Sequence, residues 1–160
     1  KLCYIGDGNN VARSLCLGLP PLGMSFAIAS PPVKGKYHLD QESLDLARKR
    51  ANGKTSPMVL DMRDPAAAVQ GADVVYTDVW TSMSQEAESE ARLHDFQGFT
   101  VDPELMSKAK PGAIFMHDMP AHYGEEVPLG MLDHGQSVAY HQANNRLHGQ
   151  KGILEFLFTN

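Results

Sequence analysis

The sequence predicts a Rossmann-like, three-layer α/β/α fold around a mainly parallel sheet. Apolar runs of strand length alternate with segments of helical period, which is the pattern of βαβ units. The helical segments open on Asp or Asn and close at Gly or Pro, residues that cap or stop helices. Polar clusters recur directly after strand ends, the edge at which open α/β sheets bind ligands.

Taken in order, strands are expected near residues 2 to 5, 24 to 29, 57 to 60, 73 to 77, 112 to 116 and 137 to 140. The first helix runs from about Asn10 to Leu19, with Val11, Leu15 and Gly18 or Leu19 on its buried side, until Pro20-Pro21 stops it. Asp40 N-caps the next, where Leu44, Ala47 and Ala51 recur at helical spacing before Asn52-Gly53. Asp64-Pro65 opens a short helix that Gly71 closes. Ser84 to Asp95 is acidic with few apolar positions, so a helix followed by a mobile surface loop is expected there. Asp102-Pro103-Glu104 starts another short helix, ended by Lys110-Pro111-Gly112. A last helix runs from Asn144 or Asn145 to Phe158 and carries Leu147, Ile153, Leu154, Leu157 and Phe158. With no internal repeat and no low-complexity tract, residues 1–160 are read as a single domain.

Composition narrows the classes. A chain of 160 residues, 42% apolar, can bury a core without disulfides or a structural metal. Its net charge of −5, and the lack of a cationic stripe, argue against nucleic acid. Arg48-Lys49-Arg50 reads as a solvated last helical turn. Cys3 in a strand and Cys16 in a helix read as buried thiols, which points to a reducing cytoplasm. No apolar run reaches the roughly 18 residues of a membrane helix, and the start has no signal-peptide character. Residue 1 is Lys and the chain enters a strand at once, so the natural chain is expected to continue upstream.

Three strand-end clusters hold the candidate chemistry: Gly6-Asp7-Gly8-Asn9-Asn10, Asp78-Val79-Trp80-Thr81-Ser82-Met83, and His117-Asp118-Met119-Pro120-Ala121-His122. Gly6-x-Gly8 invites a dinucleotide reading. Val11, however, stands where that fingerprint wants Gly or Ala, and Ser30-Pro31-Pro32 stands where it wants a ribose-binding acid. A tight turn presenting Asn9 and Asn10 to a zwitterionic ligand fits better, with a plain helix cap as the competing role for Asn9. His117, Asp118 and His122 match no metal-ligand spacing, and Pro120 between the histidines forbids a shared helical face. No Ser lies on a nucleophile elbow. Trp80 is either a stacking platform or, more simply, packing. No cofactor and no metal is expected.

Gly6-Asp7-Gly8-Asn9-Asn10-Val11, the Asp78 to Met83 stretch, Gln97-Gly98-Phe99, the Met119 to Val127 run and Asn145-Arg146, in that order, resemble the ornithine-binding half of the ornithine carbamoyltransferase family. The likeness covers essentially the whole chain. It implies a two-domain enzyme making L-citrulline, in which an upstream domain, absent here, anchors carbamoyl phosphate and this domain holds L-ornithine. The family's Ser-Thr-Arg-Thr and His-Pro-x-Gln motifs do not occur in this sequence, so the chain alone is expected not to catalyse efficiently. By the same resemblance Asn10, Asp78, Ser82 and Met83 contact ornithine, and Asp118, Met119 and Arg146 lie at the carbamoyl phosphate. Asp78, Asp118 and Arg146 are then the residues nearest the chemistry. A homotrimer built mainly through the upstream domain is also implied.

Three segments depart from the family pattern. His117-Asp118-Met119-Pro120 replaces His-Cys-Leu-Pro, which puts a carboxylate where a thiol is usual. Asp118 should attract the δ-ammonium and take its proton, and should repel phosphate. Ser84 replaces the Gly that follows Ser-Met, and Asn144 replaces Glu before Asn-Arg. Two alternatives stay open: a carbamoyltransferase for another amine, such as putrescine or N-acetylornithine, and a non-catalytic, transcarbamylase-like binding protein.

Overall fold

In a computed structural model, the described residues are 1–51, 58–82 and 85–159. The strands are β1 (Leu2–Ile5), β2 (Phe26–Ala29), β3 (Val59–Met62), β4 (Val74–Thr77) and β5 (Ile114–His117), all parallel, in the order β3-β2-β1-β4-β5. The chain therefore builds outward from β1 to β3, then returns to lay β4 on the other side of β1. That reversal opens a crevice at the carboxyl ends of β1 and β4. The buried Thr77 hydroxyl donates to the Ile5 carbonyl at 2.6 Å and ties the two strand ends together.

Alternate residues of each strand face opposite sides of the sheet, and two cores result. Leu2, Tyr4, Phe26, Ile28 and Tyr76 pack with Ala12 and Cys16 of α1 (Asn10–Gly18) and with Leu44 and Ala47 of α2 (Gln41–Arg50). Cys3, Ile5, Ala27, Val75 and Phe115 pack on the other face with α3 (Pro65–Val69), α4 (Ser89–Asp95) and α5 (Pro103–Ser107), through residues that include Ala68, Phe96 and Leu105. Helices on both faces of an all-parallel sheet give the three-layer fold expected. Burial pushes the Cys3 thiol up to about 12 and that of Cys16 to about 11, so both behave as packing groups.

The structure revises several expectations. Residues 137–140 form no strand: Ser137 makes one isolated bridge to Phe115, and α6 (Ala139–Thr159) begins at once. That helix starts well before Asn144. The buried side of α1 centres on Ala12 and Cys16, with Val11 and Leu15 at its edges. In the acidic segment that ends at Asp95 the helix comes last and no loop follows it there: a 3-10 turn over Glu86–Glu88 leads into α4. Strand starts near 24 and 112 each move two residues later, and the β3 run near 57 does likewise. Asn52-Gly53, Met83 and Ser84 lie outside the described residues. Among the described residues, no helix is long and apolar enough to cross a membrane.

Candidate functional site

Gly6 leaves β1 with φ 148°, and the chain then passes so close to the loop before α2 that a Cβ on Gly8 would sit 2.5 Å from the His38 carbonyl carbon and the Leu39 nitrogen. Only glycine fits there. The glycine allows close backbone packing against His38 and Leu39. Asn9 follows as the N-cap of α1: its Oδ1 accepts from the backbone N–H groups of Val11 and Ala12 at 3.0 and 3.1 Å. Its Nδ2 then donates to Asp78 Oδ2 at 2.7 Å, while Tyr4 donates to its Oδ1 at 3.2 Å. One side chain thus fixes the helix start and the acid beyond β4, and Asn10 is left exposed to the cleft.

Asp78 is only 8% exposed, and its Oδ1 accepts from the Val79 N–H at 2.7 Å. Across from it, Asp118 follows β5. Met119 has a left-handed backbone, φ 63°, and is joined to Pro120 by a cis peptide bond. The Met119 N–H donates to His117 Nδ1 at 2.9 Å, which leaves the proton of that imidazole on Nε2, 3.2 Å from Glu126 Oε1. Both His117 and Glu126 are fully buried. Gln142 of α6 accepts from the His117 N–H at 3.1 Å and donates to the Tyr76 hydroxyl at 2.8 Å. The loop that aims Asp118 is therefore held from below and from the side. Burial, then the negative charge of Asp78, raises the Asp118 carboxyl to about 6. The same burial and acids push the Tyr4 and Tyr76 phenols upward.

Asn10, Asp118, Met119 and Arg146 line one cleft of about 550 Å³, together with Tyr76 and Gln142. Asp78 lies within hydrogen-bond reach of Asp118. Ser82 lies in a neighbouring hollow of about 380 Å³ with Thr81, His122 and Glu125. Arg146 sits well inside α6 and is exposed. Trp80 is packing: it is 4% exposed and stacks on Phe96 at 5.3 Å. His122, Glu125 and Glu126 each bring one potential ligand atom within 4.8 Å of the others, but Glu126 Oε1 is already shared by the His117 ring and the His122 N–H.

Two positions escaped the sequence reading. Gln142 gives no local sign of its role. Arg92, inside the acidic segment, is 5% exposed and reaches Asp7 Oδ2 at 2.6 Å and the Trp80 carbonyl at 2.9 Å, with the Tyr37 ring 5.0 Å from its guanidinium carbon. It joins the loop that ends in Asn10 to the loop that leads to Ser82. Glu88, four residues earlier and 3.2 Å from its Nε, was the available signal.

A family model described as aspartate/ornithine carbamoyltransferase, Asp/Orn binding domain, matches residues 1–157. The ornithine carbamoyltransferase of Geobacillus stearothermophilus is 49% identical over 154 residues, which cover 96% of this chain and 48% of that protein. The solved ornithine carbamoyltransferase from Pyrococcus furiosus superposes with a TM-score of 0.86 at 44% identity, over 96% of this chain and 48% of that one. The anabolic ornithine carbamoyltransferase from Campylobacter jejuni gives 0.89 at 35% identity, over 99% and 51%. The chain spans about half the length of the curated relatives it matches. A parallel sheet with polar strand ends around one cleft, and a family match over nearly every residue, lead to one conclusion: the chain belongs to the aspartate/ornithine carbamoyltransferase family, as its Asp/Orn binding domain.

Proposed function

We propose that this chain is the ornithine-holding half of an ornithine carbamoyltransferase, which moves the carbamoyl group of carbamoyl phosphate to the δ-amine of L-ornithine and yields L-citrulline and phosphate. The observation that carries the reading is the cleft itself: Asn10, Asp118, Met119 and Arg146 meet there beside a clamped Asp78, in a chain of this family. In this reading Asp78 takes the α-ammonium, Asn10 and the segment at Ser82 and Met83 take the carboxylate end, and Arg146 reaches the carbamoyl phosphate. The amine lone pair attacks the carbamoyl carbon and phosphate leaves, so no covalent nucleophile is needed. Orientation and stabilisation of oxyanion charge are the protein's main tasks. The planar, permanently charged fork of Arg146 suits phosphate and carbonyl oxygens. An upstream domain supplies the phosphate anchor, a homotrimer forms through it, and the protein works in the cytoplasm.

The test is citrulline formation by the full-length protein containing this chain, with ornithine, putrescine and N-acetylornithine compared at equal concentration. Ornithine should be carbamoylated fastest. Faster carbamoylation of putrescine or N-acetylornithine, or ornithine binding with no turnover, would defeat the assignment.

A further inference from the structure

Asp78 and Asp118 lie within hydrogen-bond reach of one another, and their other hydrogen bonds are unequal. Asp78 accepts from the Asn9 side chain and the Val79 N–H, both at 2.7 Å, whereas Asp118 Oδ1 is buried with no partner. Donors stabilise the charged form of a carboxylate, so Asp118, whose Oδ1 has none and whose carboxyl is raised, is the member of the pair that holds a proton. The other groups around the pair do not reverse this order. His117 Nδ1, 3.8 Å from Asp118, already accepts the Met119 N–H and presents no proton. Tyr4 of β1 and Tyr76 of β4 are neutral phenols, and Asp7 is consumed by Arg92. Arg146 of α6, the one cation among the described residues that line the cleft, is exposed.

We propose that this pair couples recognition of the ligand to formation of the base: an α-ammonium seated on Asp78 discharges the pair, Asp118 releases its proton to solvent, and the resulting carboxylate accepts a proton from the ligand's distal ammonium. In the last step one N–H bond breaks, one O–H bond forms on Asp118, and the amine keeps its electron pair for attack. The proposal rests on the reading of the cleft as an amine site and adds a device to it. A ligand with an acylated α-nitrogen, or with no α-nitrogen, does not trigger the proton release. Above the pH at which Asp118 ionises unaided, about 6, the device is idle. Below it, the affinity of an α-ammonium ligand falls tenfold per pH unit.

Two measurements test this. The first needs no ligand: carbon NMR titration of the Asp118 carboxyl in the chain and in Asp78→Asn, with the signal assigned by its loss in Asp118→Asn. Removing the Asp78 charge should lower the Asp118 midpoint by at least one pH unit; an unchanged midpoint overturns the pair. The second is isothermal titration of the full-length protein, with carbamoyl phosphate present, using L-norvaline, which has the α-ammonium but no distal amine. In buffers of different ionisation enthalpy, binding at pH 5 should release close to one proton, at pH 8 none, and in Asp118→Asn none at either. Release that survives in Asp118→Asn, or norvaline binding at pH 5 without release, overturns the coupling. If norvaline does not bind while the NMR arm succeeds, the amine-site reading fails and the acid pair stands.

Discussion

Arg92→Met should destabilise the chain by about 3–5 kcal/mol, the cost of removing one partner of a buried ion pair. The structure assigns the loss to Asp7. Its carboxylate is 9% exposed and 2.6 Å from the guanidinium, so without Arg92 it must stay charged in a poor solvent or be protonated. The Trp80 carbonyl loses a donor as well, worth about 1 kcal/mol, whereas the exposed Glu88 partner adds little. Methionine keeps most of the contact with the Tyr37 ring, so lost volume is a minor part. In a protein of this size about 3 °C of melting temperature follows each kcal/mol, giving a fall of roughly 9–15 °C. Thermal unfolding followed by circular dichroism measures it. The double variant Arg92→Met/Asp7→Asn should recover half or more of the loss, because the stranded charge is gone. A single variant within about 1 kcal/mol of the parent, or a double variant no better than the single, would refute the reasoning.

Gly8→Ala should cost about 2 kcal/mol or more in urea unfolding, since its Cβ would meet backbone at 2.5 Å that no rotamer change can move; a loss below about 0.5 kcal/mol contradicts the close approach. Asp118 makes a pH-dependent contribution of known sign. Its folded value of about 6 lies above the ordinary aspartate value of 3.8, so the contribution is fully present below about pH 3.8 and is lost as pH rises through 6. The gap corresponds to at most about 3 kcal/mol, and about 1–2 after solvent screening of a side chain still 31% exposed. Asp118→Asn should therefore be more stable than the parent at pH 8, with the advantage gone near pH 4, and equal gaps at the two pH values would exclude the ionisation cost.

The sheet was legible because each strand is an apolar run between breakers, a property of the local sequence. Ser137 to Tyr140 has the same local character and failed as a strand. Only its first residue bridges Phe115, and the Ser137 hydroxyl then accepts from the Ala139 N–H at 3.3 Å, favouring a helix start. The cleft residues Asn10 and Asp118 stand in the strand-end clusters and Arg146 came from a resemblance, whereas the clamps on Asp78 and Asp118 came from neither. Asn9 offers both a cap and a ligand contact to a sequence reader, and only the 2.7 Å bond to a residue 69 positions away shows that it caps one loop while holding another. Arg92 was hidden for the same reason. Its partner Asp7 lies 85 positions upstream, and in an acidic segment an arginine reads as surface charge.

The two sides of the cleft are held with very different firmness, and that sets what this chain can do by itself. The acids are fixed inside the fold: Asp78 by Asn9 and Val79, the Asp118 loop by the buried His117–Glu126 contact and by Gln142. Side chains locked by such bonds need no reordering when a ligand arrives, which favours binding of a cation. Arg146 has no comparable support. It lies on a stretch of α6 that is exposed throughout, beyond the single fully buried position Ala139, and Ile153, Leu154, Leu157 and Phe158 further along are each more than half exposed. A helix with its apolar side chains in water gains little from burial and has few contacts to fix its direction. Under the proposed function, substitutions around Asp78 and Asp118 therefore act on amine recognition directly, through hydrogen bonds already set within this chain. The reach proposed for Arg146 toward a phosphate rests, by contrast, on a helix whose apolar side chains among the described residues are exposed.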